Sequence, residues 1–124
     1  MLTYEKKILI IDDSVALVSA LTIKLKDNDF DVISAHNGEE GLSLAIENHP
    51  DLIMLDISLP RMTGHEVARK LKENDSTIAI PIIILTSVGK SEEIDILEKI
   101  TNAYILKPVK MDDLLGKIRE VLKT

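Results

Sequence analysis

Four short apolar runs, each closed by a polar or charged side chain, constrain this chain more than any other feature. They are Ile8-Leu9-Ile10-Ile11, Leu52-Ile53-Met54-Leu55, Ile82-Ile83-Ile84-Leu85 and Ala103-Tyr104-Ile105-Leu106. Asp31-Val32-Ile33-Ser34-Ala35 is a weaker fifth, second in chain order. Unbroken Ile, Leu and Val without polar alternation fits strands buried on both faces. Between the runs, apolar residues return every three or four positions: Val15, Val18, Leu21 and Leu25; Leu42, Ala45 and Ile46; Val67 and Leu71; Ile94 and Leu97; Leu114, Ile118, Val121 and Leu122. That spacing marks one face of a helix. Asn37 followed by Glu40 resembles a capping box, Asp112 and Asp113 suit the first turn of a last helix, and Pro50 and Pro81 stop helices just before strands. Strand and helix thus alternate five times. The pattern predicts an α/β fold: a doubly wound, five-stranded parallel sheet with five helices on its two faces.

At 124 residues, with no repeat or linker, the expectation is one domain over residues 1–124. Aromatics are limited to Tyr4, Phe30 and Tyr104, so the core must be aliphatic. The absence of cysteine excludes disulfides, thiolate catalysis and Cys-based zinc sites. A net charge of −6 argues against direct nucleic-acid binding by this domain, since phosphate contacts need clustered Lys and Arg. Residues Met1 to Lys7 are not followed by a leader-like stretch: the apolar run from Ile8 stops at Asp12 and Asp13. The run from Ile78 to Leu85 is interrupted by Pro81 and falls well short of the ~20 residues that span a bilayer. A cytoplasmic protein without a membrane segment is expected.

In an open parallel sheet, ligands bind beyond the carboxyl ends of the strands. The residues closing the predicted strands are Asp12 and Asp13, Asp56, Thr86 and Lys107. Any one of them alone is most simply a turn or cap residue. Together they bring three carboxylates, a hydroxyl and an ammonium to one edge. Carboxylates at ~4 Å in an effective dielectric of ~20 repel by about 4 kcal/mol per pair. Lys107 offsets one charge only, so a hard divalent cation such as Mg²⁺, with its all-oxygen preference, is the natural complement. In such a site a carboxylate can attack phosphorus to give an acyl phosphate, with the cation and the ammonium offsetting charge on the phosphoryl oxygens. Thr86 is placed to hydrogen-bond one of them.

Over essentially its whole length the chain resembles the receiver domain of two-component response regulators, the CheY-like family. The resemblance is carried by Asp12-Asp13, Asp56-Ile57-Ser58-Leu59-Pro60-Arg61-Met62-Thr63-Gly64, Leu85-Thr86-Ser87 and Tyr104-Ile105-Leu106-Lys107-Pro108. It implies that Asp56 is the phosphoacceptor. Mg²⁺ would be held by Asp13, Asp12 (through water), Asp56 and the backbone carbonyl of Ser58. Thr86 and Lys107 would contact the phosphoryl group, while Thr86 and Tyr104 would form the switch that alters the face of the fourth helix, fifth strand and fifth helix. The donor would be a phosphohistidine on a sensor histidine kinase or histidine phosphotransfer protein. The altered face would act on a downstream target protein or output domain. The protein would be a signalling device rather than an enzyme, assisting its own phosphorylation and dephosphorylation. The resemblance also implies a cis bond before Pro108, against the trans form of about 95% of such bonds.

Three positions depart from the family pattern. Ile100-Thr101-Asn102-Ala103 replaces a glycine-containing turn, so Asn102 is expected to take the left-handed conformation. Ser87 follows Thr86 where a smaller residue is common. Ser58 and Val88 stand where the family tunes phosphoryl lifetime, and neither is an acid or amide. Rival readings are weaker. An aspartyl phosphatase needs a second acid two residues after its nucleophile, where Ser58 stands. A flavodoxin-like carrier needs a phosphate loop where Asp12 and Asp13 would repel the ligand. A degenerate receiver serving as a protein-binding scaffold would have lost site residues that are all present. His36, His49 and His65 lack partner spacing and read as surface residues, and Met62 reads as packing.

Overall fold

The structure, a computed structural model, describes residues 5–89 and 91–123. Residues 1–4, on which part of the leader argument rests, and residue 124 lie outside the described residues. The strands are β1 (Lys7–Ile11), β2 (Asp31–Ala35), β3 (Leu52–Asp56), β4 (Ile82–Thr86) and β5 (Ala103–Leu106). The helices are α1 (Val15–Asp27), α2 (Gly38–Asn48), α3 (Gly64–Glu73), α4 (Glu92–Glu98) and α5 (Met111–Leu122). All strand pairs are parallel, in the order β2-β1-β3-β4-β5. Each predicted strand and helix is therefore present, and the sheet is the doubly wound one expected.

The period-2 geometry of a strand splits its side chains between two cores. On one face, Leu9 and Ile11 join Ile53, Leu55, Ile82 and Ile84 beneath Ala45 of α2, Val67 and Leu71 of α3, and Ile94 and Leu97 of α4. On the other, Ile8 and Ile10 join Leu52, Met54, Ile83 and Leu85 beneath Val18, Leu21 and Leu25 of α1 and Leu114 and Ile118 of α5. Central strands β3 and β4 are buried throughout; the edge strand β2 is mostly half-buried, which explains its mixed sequence. Two positions in the helical patterns face outward instead: Val15 is 66% exposed and Ile46 42%.

Helix starts follow the sequence signals. The Asn37 side chain accepts from the Glu40 amide, and Ser14, Thr63 and Ser91 cap α1, α3 and α4 in the same way. Asp112 and Asp113 lie in the first turn of α5. The Lys107–Pro108 bond is cis. One expectation fails: Asn102 is not left-handed, a conformation taken by Asp29, His49, Arg61 and Lys123. Asn102 instead accepts from the Ile82 amide through its side chain (3.0 Å) while its own amide donates to the Ile82 carbonyl (2.8 Å). Two bonds to the start of β4 hold the turn, so no positive φ is needed. Among the described residues, no helix is long and apolar enough to cross a membrane.

Candidate functional site

The strands β1, β3, β4 and β5 run parallel, so their C-terminal residues emerge on one edge. Asp12 follows β1 and is fully buried; Asp56 ends β3 and is 3% exposed; Thr86 ends β4 and is fully buried. Lys107 follows β5 and Asp13 is exposed beside Asp12. Carboxylate oxygens of Asp12, Asp13 and Asp56 lie within 4.8 Å of one another, the one such acidic or histidine group of three found among the described residues. Lys107 Nζ lies 3.0 Å from Asp12 Oδ2 and 3.5 Å from Asp56 Oδ1.

The local backbone fixes both buried acids. Asp12 Oδ1 accepts from the Ser14 amide at 2.9 Å, and Asp56 Oδ1 accepts from the Ser58 amide at 3.1 Å. Asp12 Oδ2 meets Lys107 as an ion pair but off the hydrogen-bond axis, so this buried oxygen has no aligned donor. A buried, under-satisfied carboxylate oxygen facing two more carboxylates fits a hard cation with oxygen ligands. The residues present therefore suit a metal. Burial pushes the Asp56 carboxyl above the ordinary aspartate value; the Ser58 amide pulls it back, the Asp12 carboxylate adds to the rise, and Lys107 opposes it. Burial alone would lower the Lys107 ammonium, but the carboxylates of Asp12 and Asp56 outweigh it and hold its pKa above the usual lysine value.

Two predicted residues sit differently from the rest. The Thr86 hydroxyl turns to its own loop, donating to the Val88 carbonyl (3.1 Å) and accepting from the Val88 amide (3.0 Å). Tyr104 is partly buried against the core on the α2–α3–α4 side and lines an open groove of about 1100 Å³ along β5, between Glu98 of α4 and Gly116 of α5. This groove touches the acidic cluster only through Lys107. His36 and His49 are exposed, His65 is partly so, and Met62 packs against the core. Gly64 closes the Asp56–Gly64 stretch that carries the resemblance, but the sequence assigns it no role of its own; its signal is a glycine at the first position of α3 rather than after its end.

The structure thus combines a doubly wound sheet with an acidic, lysine-bearing cleft at its carboxyl edge. The chain belongs to the response regulator receiver domain family, whose model matches residues 8–119. It is 35% identical over 118 residues to the DNA-binding dual master transcriptional regulator RpaA of Synechocystis, covering 94% of this chain and 49% of that protein. It is also 35% identical to the DNA-binding response regulator MtrA of Mycobacterium tuberculosis, covering 98% and 52%. The chain thus spans about half the length of these relatives. Among solved structures, chemotaxis protein CheY4 of Vibrio cholerae superposes with a TM-score of 0.90 at 26% identity, covering 95% of this chain and 99% of that one. A CheY-like receiver domain protein from Methanospirillum hungatei gives 0.89 at 33% identity, covering 97% and 95%.

Proposed function

We propose that residues 1–124 form one receiver domain in which Asp56 accepts a phosphoryl group from a phosphohistidine, with Mg²⁺ bound by Asp12, Asp13, Asp56 and the Ser58 carbonyl. The observation that carries this reading is the convergence of three carboxylates within 4.8 Å of one another around a single lysine. An Asp56 oxygen attacks phosphorus, the phosphorus–nitrogen bond breaks, and the imidazole leaves with its electron pair and takes a proton. Bound Mg²⁺ would offset the charge of the phosphoryl oxygens. Lys107 already contacts Asp56 and is held charged by its neighbours, so it serves the same purpose from the other side. The Ser58 amide keeps the attacking carboxylate oriented.

The Thr86 hydroxyl would leave Val88 for a phosphoryl oxygen, and Tyr104 would follow into the space behind it, changing the face formed by α4, β5 and α5. Partners are then a sensor histidine kinase or histidine phosphotransfer protein on one side and a target protein or output domain on the other. MtrA and RpaA are named as DNA-binding; with a net charge of −6, these 124 residues suit control of such a function better than DNA contact. The domain is a switch that assists its own phosphorylation and dephosphorylation, in a cytoplasmic setting, and not an enzyme acting on a separate substrate.

Incubating the protein with Mg²⁺ and acetyl phosphate should add one phosphoryl mass, absent in Asp56→Asn and suppressed by EDTA. Wild-type protein whose mass stays unchanged, with or without EDTA, would remove the proposal.

A further inference from the structure

The first residue of α3 lies against the backbone that carries Asp56. Gly64 opens α3, and its φ is not positive, so no backbone conformation demands glycine there. Space does. A Cβ at this position would lie 2.3 Å from the Asp56 carbonyl oxygen, 2.6 Å from Ile57 Cα and 3.0 Å from the Asp56 carbonyl carbon. All three are backbone atoms, so no rotamer change relieves the clash. Gly41 differs: its nearest atoms belong to the flexible Ile11 side chain, while a Cβ on Gly116 would meet nothing.

The backbone of Ile57 is held through both of the peptides it joins. Its amide, in the 56–57 peptide, donates to the Leu85 carbonyl of β4 at 3.1 Å, and its carbonyl, in the 57–58 peptide, accepts from the Gly64 amide at 3.1 Å. Thr63 caps the helix immediately before, which fixes where its first turn begins. The start of α3 therefore rests directly on the backbone that carries Asp56, whose carboxylate meets Lys107 and Asp12 in the cleft.

We infer that Gly64 is a positioning residue for phosphoryl transfer, its missing side chain letting α3 seat against the Asp56 peptide. The inference rests on the receiver reading above. Gly64→Ala must push the start of α3 and the 56–57 peptide apart by a large fraction of an ångström, and misplacement of reacting groups by about 1 Å can cost on the order of 100-fold in rate. Phosphorylation of Gly64→Ala by acetyl phosphate at saturating Mg²⁺ should be at least ~10-fold slower than wild type. Its Mg²⁺ affinity, measured by calorimetry, should also fall.

The control is Leu25→Ala, a core truncation in the last turns of α1, which should destabilise the protein yet leave the rate and the Mg²⁺ affinity of the folded protein unchanged. If Gly64→Ala is not folded in buffer, both variants are compared in trimethylamine N-oxide, which favours compact states. A folded Gly64→Ala with wild-type rate and Mg²⁺ affinity overturns the inference. So does a variant unfolded even in the osmolyte, or a Leu25→Ala that loses the same rate. The receiver reading stands or falls separately, on whether wild type is labelled and Asp56→Asn is not.

Discussion

Removing the phosphoacceptor's charge should make the metal-free protein more stable. In Asp56→Asn, two repulsions with carboxylates no farther than 4.8 Å disappear, along with the attraction to Lys107 at 3.5 Å. At an effective dielectric of ~20, each lost repulsion is worth about 3.5 kcal/mol and the lost attraction about 4.7 kcal/mol, leaving about 2 kcal/mol in the variant's favour. Asp13 is exposed, and solvent screening cuts its share, reducing the Coulomb gain to about 1 kcal/mol. Relief from burying a charge works in the same direction. The Asn side-chain oxygen can still accept from the Ser58 amide, so the hydrogen bond is kept. The expected gain is about 1–2 kcal/mol at pH 7.5, or about 3–8 °C in Tm.

The pH dependence has a definite sign. The folded-state pKa of Asp56 lies above 3.8, so wild type loses stability as pH rises from that value through the raised one. The variant escapes this loss; its advantage is full above the raised pKa and fades below pH 3.8. Mg²⁺ reverses the order, because a cation at 100 times its Kd stabilises wild type by about 2.7 kcal/mol. Urea unfolding followed by far-ultraviolet circular dichroism, in EDTA and in MgCl₂, reads all three effects. An Asp56→Asn protein less stable than wild type in EDTA at pH 7.5, or a gap that widens on acidification, would refute the crowded-carboxylate reasoning.

The same cluster makes other demands. Asp13→Asn should raise metal-free stability by less than about 1 kcal/mol, given its exposure, and a lower Tm in EDTA would contradict it. Lys107→Met leaves two buried carboxylates without their ammonium and should destabilise by about 3 kcal/mol in EDTA, partly restored by Mg²⁺; wild-type stability without metal would count against the ion pairs. Asn102→Gly should lose about 1–2 kcal/mol because the Ile82 amide loses its acceptor, and a stabilised glycine variant would mean that the turn needs left-handed backbone after all.

The strands were legible because burial on both faces leaves no polar alternation, and the five-fold order then set the topology and the common edge. Asp12, Asp56, Thr86 and Lys107 could be placed there before any coordinates, since each directly follows or ends an apolar run. Finer features depend on what lies across the chain. Val15 shares a helical stripe with Val18 and Leu21 yet stays exposed, because spacing identifies a face without saying how far along the helix it is covered. Asn102 was misread for the same reason: its partner, Ile82, is 20 residues away and leaves no local trace. Gly64 is visible in the sequence only as part of a motif, without a role, because the atoms that exclude a side chain there belong to the end of β3 and the residue after it, a contact that no spacing rule records.

A hydroxyl has a single proton to give. That of Thr86 is committed to the Val88 carbonyl, while its oxygen serves the Val88 amide. Any new acceptor arriving in the cleft must compete for this proton, and if it wins, two backbone groups of the β4–α4 connection lose their partner together. The arrangement is exclusive: residues 86–88 keep their tight turn, or the cleft gains a donor, and one atom decides between them.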